Sequence, residues 1–171
     1  MSELLIVIDM QNDFIDGPLG SDEARLIVKP ICGKIESFVG DVIYTRDTHF
    51  ENYLETMEGK KLPVKHCIKN TYGWEINKDV LKAGKGKTKC IIDKPSFGSF
   101  QLADKAAEGN YEKITIIGVC TDICVVSNAL ILKGRLPEVN IAVEEGLCAG
   151  VTPESHKCAV ETMRMCQVDI V

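Results

Sequence analysis

Long apolar runs are missing from this chain, and no stretch approaches the length needed to span a bilayer. A basic excess is missing too. The formal net charge is -5, with 20 Lys and Arg against 25 Asp and Glu, and no basic stripe appears. That argues against a nucleic-acid or anionic-membrane surface. Aromatic residues make up only 6%, with one tryptophan, so few side chains exist to sandwich a flat ligand. No leader pattern opens the chain, which enters a strand-like run by Leu4. These absences point to the cytosol, where the eight cysteines are expected to be reduced. Cys32, Cys90, Cys148, Cys158 and Cys166 sit among apolar neighbours and read as small buried hydrophobes.

What is present is a strand–helix alternation over 171 residues, a length that suggests one domain spanning 1–171. Apolar runs place strands at 4–8, 41–45, 89–93, 113–119, 138–143 and 167–171. Helical spacing places helices at 22–39, 99–107, 121–133 and 153–165. Asp22 is positioned to cap the first helix, and Thr152-Pro153 to start the last. Gly109 with Asn110, and Gly134, are read as helix ends. The pattern implies an α/β fold: a three-layer α-β-α sandwich around a six-stranded, mostly parallel, Rossmann-like sheet. Residues 46–88 break the rhythm as a long polar loop, including the lysine-rich KAGKGKTK turn, and long loops are often functional.

Three reactive residues fall at or just past the ends of apolar runs: Asp9 in IVIDMQNDF, Lys94 in CIIDK and Cys124 in GVCTDICV. In open parallel sheets ligands bind at the carboxyl ends of strands, so an acid, an amine and a thiol are expected at one rim. Cys124 would lie in the first turn of a helix, whose N-terminus favours a thiolate and lowers its pKa. Cys120, at the strand end, is its rival as nucleophile, and a buried packing role is the plainer alternative for either thiol. Asp9 alone would be an expensive buried carboxylate unless it capped a loop. Asp13 and Asp16 read as turn residues beside Gly17-Pro18. Lys94 alone would be expected in solvent; beside an acid and a thiolate it would hold both anions.

Asp47 and His49 are two apart in an extended segment and project to the same side. His66, across the loop, could complete a set of two imidazoles and one carboxylate suited to zinc, iron or manganese. Asp47 could instead pair with Arg46, and His66 could be an ordinary loop residue. His156, at a helix start, fits local packing or hydrogen bonding.

Taken together, IDMQNDF, YTRDTH, LPVKHCIKNTYGWE, DKPSFGSF and GVCTDICV resemble the isochorismatase-like cysteine hydrolases, in particular their nicotinamidase/pyrazinamidase-type branch. The resemblance runs over essentially the whole chain. It implies a catalytic triad of Asp9, Lys94 and Cys124, with Cys124 and not Cys120 as nucleophile. It also implies a cis peptide between Val119 and Cys120 that aims the Cys120 and Cys124 amides into an oxyanion hole. It further implies a divalent metal, zinc first and iron or manganese otherwise, on Asp47, His49 and His66. A fourth ligand present in some relatives has no clear counterpart here, although Glu55 and Glu58 lie in the same loop. In nicotinamidases that metal binds the pyridine nitrogen and positions substrate. Many nicotinamidases have an aromatic residue just before the second metal histidine; here Leu62-Pro63-Val64-Lys65 stands there, leaving Phe14 and Trp74 as candidate pocket residues.

The implied activity is hydrolysis of a small amide, nicotinamide-like, to an acid and ammonia. A metal-independent amidohydrolase of carbamoyl or ureido compounds is the alternative within the same superfamily. A catalytically silent metal-binding module is the alternative outside it. The expected partner is a small molecule, with no nucleic acid and no membrane. Relatives are frequently oligomeric, so a homo-oligomer is possible, although the sequence has no interface signature.

Overall fold

The computed structural model describes residues 2–171. Six strands form one sheet: β1 (Glu3–Ile8), β2 (Asp41–Asp47), β3 (Thr88–Lys94), β4 (Lys113–Val119), β5 (Asn140–Ala149) and β6 (Asp169–Ile170). Their order is β3-β2-β1-β4-β5-β6, and every neighbouring pair is parallel. The order reverses between β1 and β4. A crevice opens there at the carboxyl ends of the strands, the usual ligand position in such sheets.

The sheet is apolar on both faces, as a doubly covered parallel sheet requires. Along β1, Leu4, Ile6 and Ile8 enter one core while Leu5 and Val7 enter the other. This is the two-residue period of a pleated strand. On the first face pack α5 (Phe100–Glu108), α6 (Val126–Arg135) and α7 (Pro153–Met165), through residues such as Leu102, Leu132 and Met163. On the second face pack α2 (Asp22–Ser37) and α4 (Lys78–Ala83), with α1 (Asn12–Ile15) at its rim. In α2 the buried residues Ile27, Ile31 and Ile35 recur every fourth position. The remaining helix, α3 (Met57–Lys61), lies in the loop after β2. No helix among the described residues is long and apolar enough to cross a membrane.

The three-layer arrangement is as expected, and β4 and α7 have the bounds read from the sequence. Several local expectations are corrected. Ser21, not Asp22, caps α2, its side chain accepting the Ala24 N–H at 3.0 Å. Gly134 lies inside α6, which continues to Arg135. β5 runs on to Ala149, through a register shift opposite Ile116/Gly118. Its Glu144 is held there by Lys34 at 2.6 Å. Helix α7 turns Ala159, Val160 and Met163 inward, which leaves Cys158 exposed; Cys166, just past its end, is exposed too. Cys32 and Cys90 are only partly buried, and Cys148 alone of that expected group is buried. All eight cysteines are free thiols.

Residues 46–88 contain the short helices α3 and α4 and two 3-10 turns, Tyr53–Glu55 and Tyr72–Trp74. The lysine-rich turn has a structural task. Lys87 Nζ donates to the Ile35 and Phe38 carbonyls at 3.0 and 2.8 Å and also to Glu36, at the C-terminal end of α2. An ammonium placed on those last carbonyls satisfies orphan acceptors and favours the negative end of the helix dipole. Lys87→Met should therefore lower stability by about 1–2 kcal/mol, read as a reduced midpoint in urea unfolding; an unchanged midpoint would show that water replaces the ammonium without loss.

Candidate active site

β1 and β4 flank the point where the strand order reverses, and each carries a reactive residue just beyond its end. Asp9 follows Ile8 with φ 46°, a left-handed conformation unusual for a side-chain-bearing residue. Its carboxylate is fully buried. The Thr45 hydroxyl donates to Oδ1 at 2.6 Å, and Lys94 Nζ lies 2.6 Å from Oδ2, which has no other hydrogen-bond partner. Thr45 Oγ1 also accepts the Asp9 N–H at 3.2 Å. The loop-capping alternative for Asp9 is not what the geometry gives.

Lys94 closes β3 and is 0% exposed, not in solvent. Its ammonium reaches four groups: Asp9, the Ser96 carbonyl at 3.1 Å, Cys124 Sγ at 3.5 Å and Asp47 Oδ1 at 3.6 Å. Burial opposes its charge, but the surrounding Asp9, Cys124 and Asp47 raise its pKa and keep it an ammonium.

Cys124 lies in a π-helical turn, Thr121–Val125, in place of a plain α-helical start. The Cys120 carbonyl accepts both the Ile123 N–H at 3.1 Å and the Val125 N–H at 3.0 Å. Wide turns of this kind are frequent at functional sites. Asn128 ties the turn to the loop after β3, donating to the Cys124 and Phe97 carbonyls at 2.8 and 3.0 Å and accepting the Ser99 N–H at 3.0 Å. His156 meets Thr121 from α7, Nδ1 to Oγ1, at 2.8 Å. The peptide between Val119 and Cys120 is cis, and the Cys120 N–H has no acceptor among the described residues.

The expected depression of the Cys124 pKa is reversed. Burial pushes the thiol well above its ordinary value, against the opposing pull of Lys94. Asp9 is also raised by burial, with Lys94 opposing and Asp47 reinforcing the shift. The half-buried Cys120 thiol is pushed up to about 12 by loss of solvent and the nearby Asp122 charge. The Cys124 thiol thus lies beside the paired side chains of Lys94 and Asp9.

Asp47 ends β2, one strand from Asp9. Asp47, His49, Glu58 and His66 each offer one ligand atom, and these atoms lie within 4.8 Å of one another. His49 Nε2 is 2.8 Å and His66 Nε2 3.5 Å from Asp47 Oδ2, and the two are 3.5 and 3.6 Å from Glu58 Oε1. The His66 Nδ1–H donates to the Val64 carbonyl at 2.8 Å, which leaves Nε2 bare toward the cluster. Asp47 Oδ1 is buried without a hydrogen-bond partner. Burial works to raise Asp47, but the hydrogen bonds of His49 and His66 and the charge of Lys94 hold it below the ordinary carboxylate range. Burial and the Asp47 charge push Glu58 up. Two imidazoles, two crowded carboxylates and an orphaned oxygen fit a divalent cation of the zinc, iron or manganese class. Glu58, not Glu55, supplies the fourth donor. Arg46 is not Asp47's partner; it pairs with Asp93 at 2.7 Å.

A cavity beside Cys124 joins the two groups. It is lined by Asp47, Glu58 and His66 of the donor cluster, by Cys120, Ile123 and Cys124, and by Phe14, Leu19, Leu62 and Phe97. Phe14 is where the sequence placed it. Trp74 is not among the lining residues, because its Nε1–H donates to Thr48 at 2.9 Å and its ring lies under Arg46 at 3.6 Å. Thr45, Gln11 and Asp13 were not singled out for the support they give. Gln11 holds the Asp47 backbone through its N–H and carbonyl, at 2.7 and 2.8 Å. Asp13, in α1 and not in a turn, accepts the Cys67 N–H at 2.7 Å beside His66. Only the recurrence of polar residues in IDMQNDF and the Thr45-x-Asp47 spacing hinted at them.

The chain is 30% identical over 173 residues to PncA of Bacillus subtilis (strain 168), an uncharacterized isochorismatase family protein, covering 94% of this chain and 93% of that one. It is 24% identical to the nicotinamidase of Schizosaccharomyces pombe (strain 972 / ATCC 24843), covering 98% and 91%. Among solved structures, the pyrazinamidase of Pyrococcus horikoshii in complex with zinc superposes with a TM-score of 0.83 at 27% identity, covering 100% and 99%. The isochorismatase domain itself matches residues 3–171, and the chain belongs to the isochorismatase family.

Proposed function

We propose that the protein hydrolyses a small heteroaromatic carboxamide of the nicotinamide type, with Cys124 as nucleophile, Asp9 as proton carrier and Lys94 as the charge that holds both. The observation that carries this reading is the single buried Lys94 ammonium, 2.6 Å from an acid and 3.5 Å from a thiol at the rim of a lined cavity. Kinship to a nicotinamidase and to a pyrazinamidase supports the substrate class.

The chemistry follows from the charges. Asp9 takes the Cys124 proton as the amide enters, so the thiolate forms only against the substrate carbonyl. The sulfur attacks the amide carbon. Backbone amides of Cys120 and Cys124 take the developing oxyanion. Protonated Asp9 passes its proton to the departing nitrogen, releasing ammonia and leaving a thioester. Asp9 then takes a proton from water, the resulting hydroxide attacks the thioester carbon, and Cys124 leaves and recovers its proton from Asp9. Lys94 remains an ammonium throughout. Asp47, His49, Glu58 and His66 would hold a divalent ion. When bound, such an ion supplies a Lewis-acid contact for a ring nitrogen.

Cys124→Ala should abolish ammonia release from nicotinamide, a loss of at least about 10³-fold, with the circular dichroism spectrum unchanged; hydrolysis near the wild-type rate would remove Cys124 from the reaction. The pH profile tests Asp9. Protonated Asp9 cannot accept the thiol proton, so kcat/KM should fall as pH drops through the Asp9 pKa, above the ordinary carboxylate range because burial raises it. Lys94 lowers that pKa, so Lys94→Met should slow the reaction and move this acid limb to higher pH. An unmoved limb would separate the titration from Asp9. His66→Ala should lose bound zinc, measured by elemental analysis of dialysed protein, and raise KM for nicotinamide more than for benzamide, which has no ring nitrogen; equal effects on both amides would exclude ring-nitrogen coordination.

A further inference from the structure

The cavity beside Cys124 does not end at the nucleophile. Phe14, Leu19, Leu62, Cys120 and Ile123 are shared walls with a second cavity of about 380 Å³, which Asp47, Glu58 and His66 do not line. Gly20, Ser21, Ala24, Val119, Ala149, Gly150 and Val151 complete it. No charged side chain lines this second lobe. Its one hydroxyl, on Ser21, already serves as the cap of α2, accepting the Ala24 N–H at 3.0 Å. A carboxylate or ammonium group entering the lobe would lose water and find no partner. An apolar group would gain there.

The direction of the substrate follows from the triad. The departing nitrogen must take its proton from Asp9, which is 0% exposed between Thr45 and Lys94. That end has no space for a large substituent. The donor cluster occupies a second side. The apolar lobe therefore faces the acyl half of the molecule. We infer that the physiological amide carries an apolar substituent on its ring, seated in the Ser21–Ala24–Val151 lobe, so that the acyl group is larger than a bare pyridine. This rests on the proposed reading of the reaction for its orientation, but the lobe can be tested by binding alone.

The probes are nicotinamide and the set of nicotinamides carrying one phenyl group at each free ring carbon. Affinities are measured by titration calorimetry on Cys124→Ala protein, and ammonia release on the wild type. At least one phenyl derivative should bind about tenfold or more tightly than nicotinamide, as expected for a buried aromatic surface. Val151→Trp, at a position 59% exposed and so tolerant of bulk, should remove that gain and leave nicotinamide binding unchanged. Ala24→Leu provides the same test from the opposite wall should the first variant fold poorly. If no phenyl derivative binds more tightly, or if filling the lobe weakens both classes equally, the lobe is only an entrance and the inference is overturned. If the phenyl derivative binds as expected but no amide releases ammonia, the reaction assignment fails while the lobe assignment stands.

Discussion

A buried ammonium organises the site. Lys94 is fully enclosed, and it is tolerated there because Asp9, Asp47 and the Ser96 carbonyl surround its charge. An isolated charge at this depth would cost several kcal/mol, and removing a partner would leave the others uncompensated. The pair is therefore a poor source of stability and a good source of chemistry. Its charge opposes the burial that raises the Cys124 thiol, and its nitrogen lies 2.6 Å from the Asp9 carboxylate. It also connects the two halves of the site, since the same nitrogen that touches Asp9 lies 3.6 Å from the carboxylate of the candidate metal cluster.

The fold makes this meeting possible without long loops. Asp9, Asp47, Lys94 and the Cys124 turn follow the ends of β1, β2, β3 and β4, four neighbouring strands. β1, β2 and β4 are pinned by two apolar cores and β3 by one, so these ends inherit the rigidity of the sheet. Two departures from regular backbone fall at these strand ends: the left-handed Asp9 and the wide turn holding Cys124. The loop after β2 brings the second imidazole back to the first, with Asp13 and Gln11 bracing it from the β1 side.

Much of this was legible in the residues. The apolar runs located all six strands, most strongly β1, β2 and β4, which are buried on both faces and carry near-continuous signals. Asp9, Lys94 and Cys124 stood out because each ends such a run. What was not legible depends on contacts between distant segments. Helices α3 and α4 have five and six residues, too short for a helical period to show. The end of β5 was missed because Glu144-Glu145-Gly146 reads as a turn until Lys34 is seen across from it. Glu58 could not be chosen over Glu55 without the turn of α3. The thiol pKa was misjudged because helix position was visible and burial was not; burial decides the direction.

The proposed reaction passes through a covalent stage on Cys124. The most direct measurement is rapid acid quenching during turnover of nicotinamide, followed by peptide mass analysis. The account predicts a nicotinoyl thioester on the peptide carrying Cys124, absent before substrate is added and gone when substrate is exhausted. Turnover with no acylated peptide even when hydrolysis of the intermediate is slowed at low pH, or acylation of Cys120 or Cys67 instead, would contradict it.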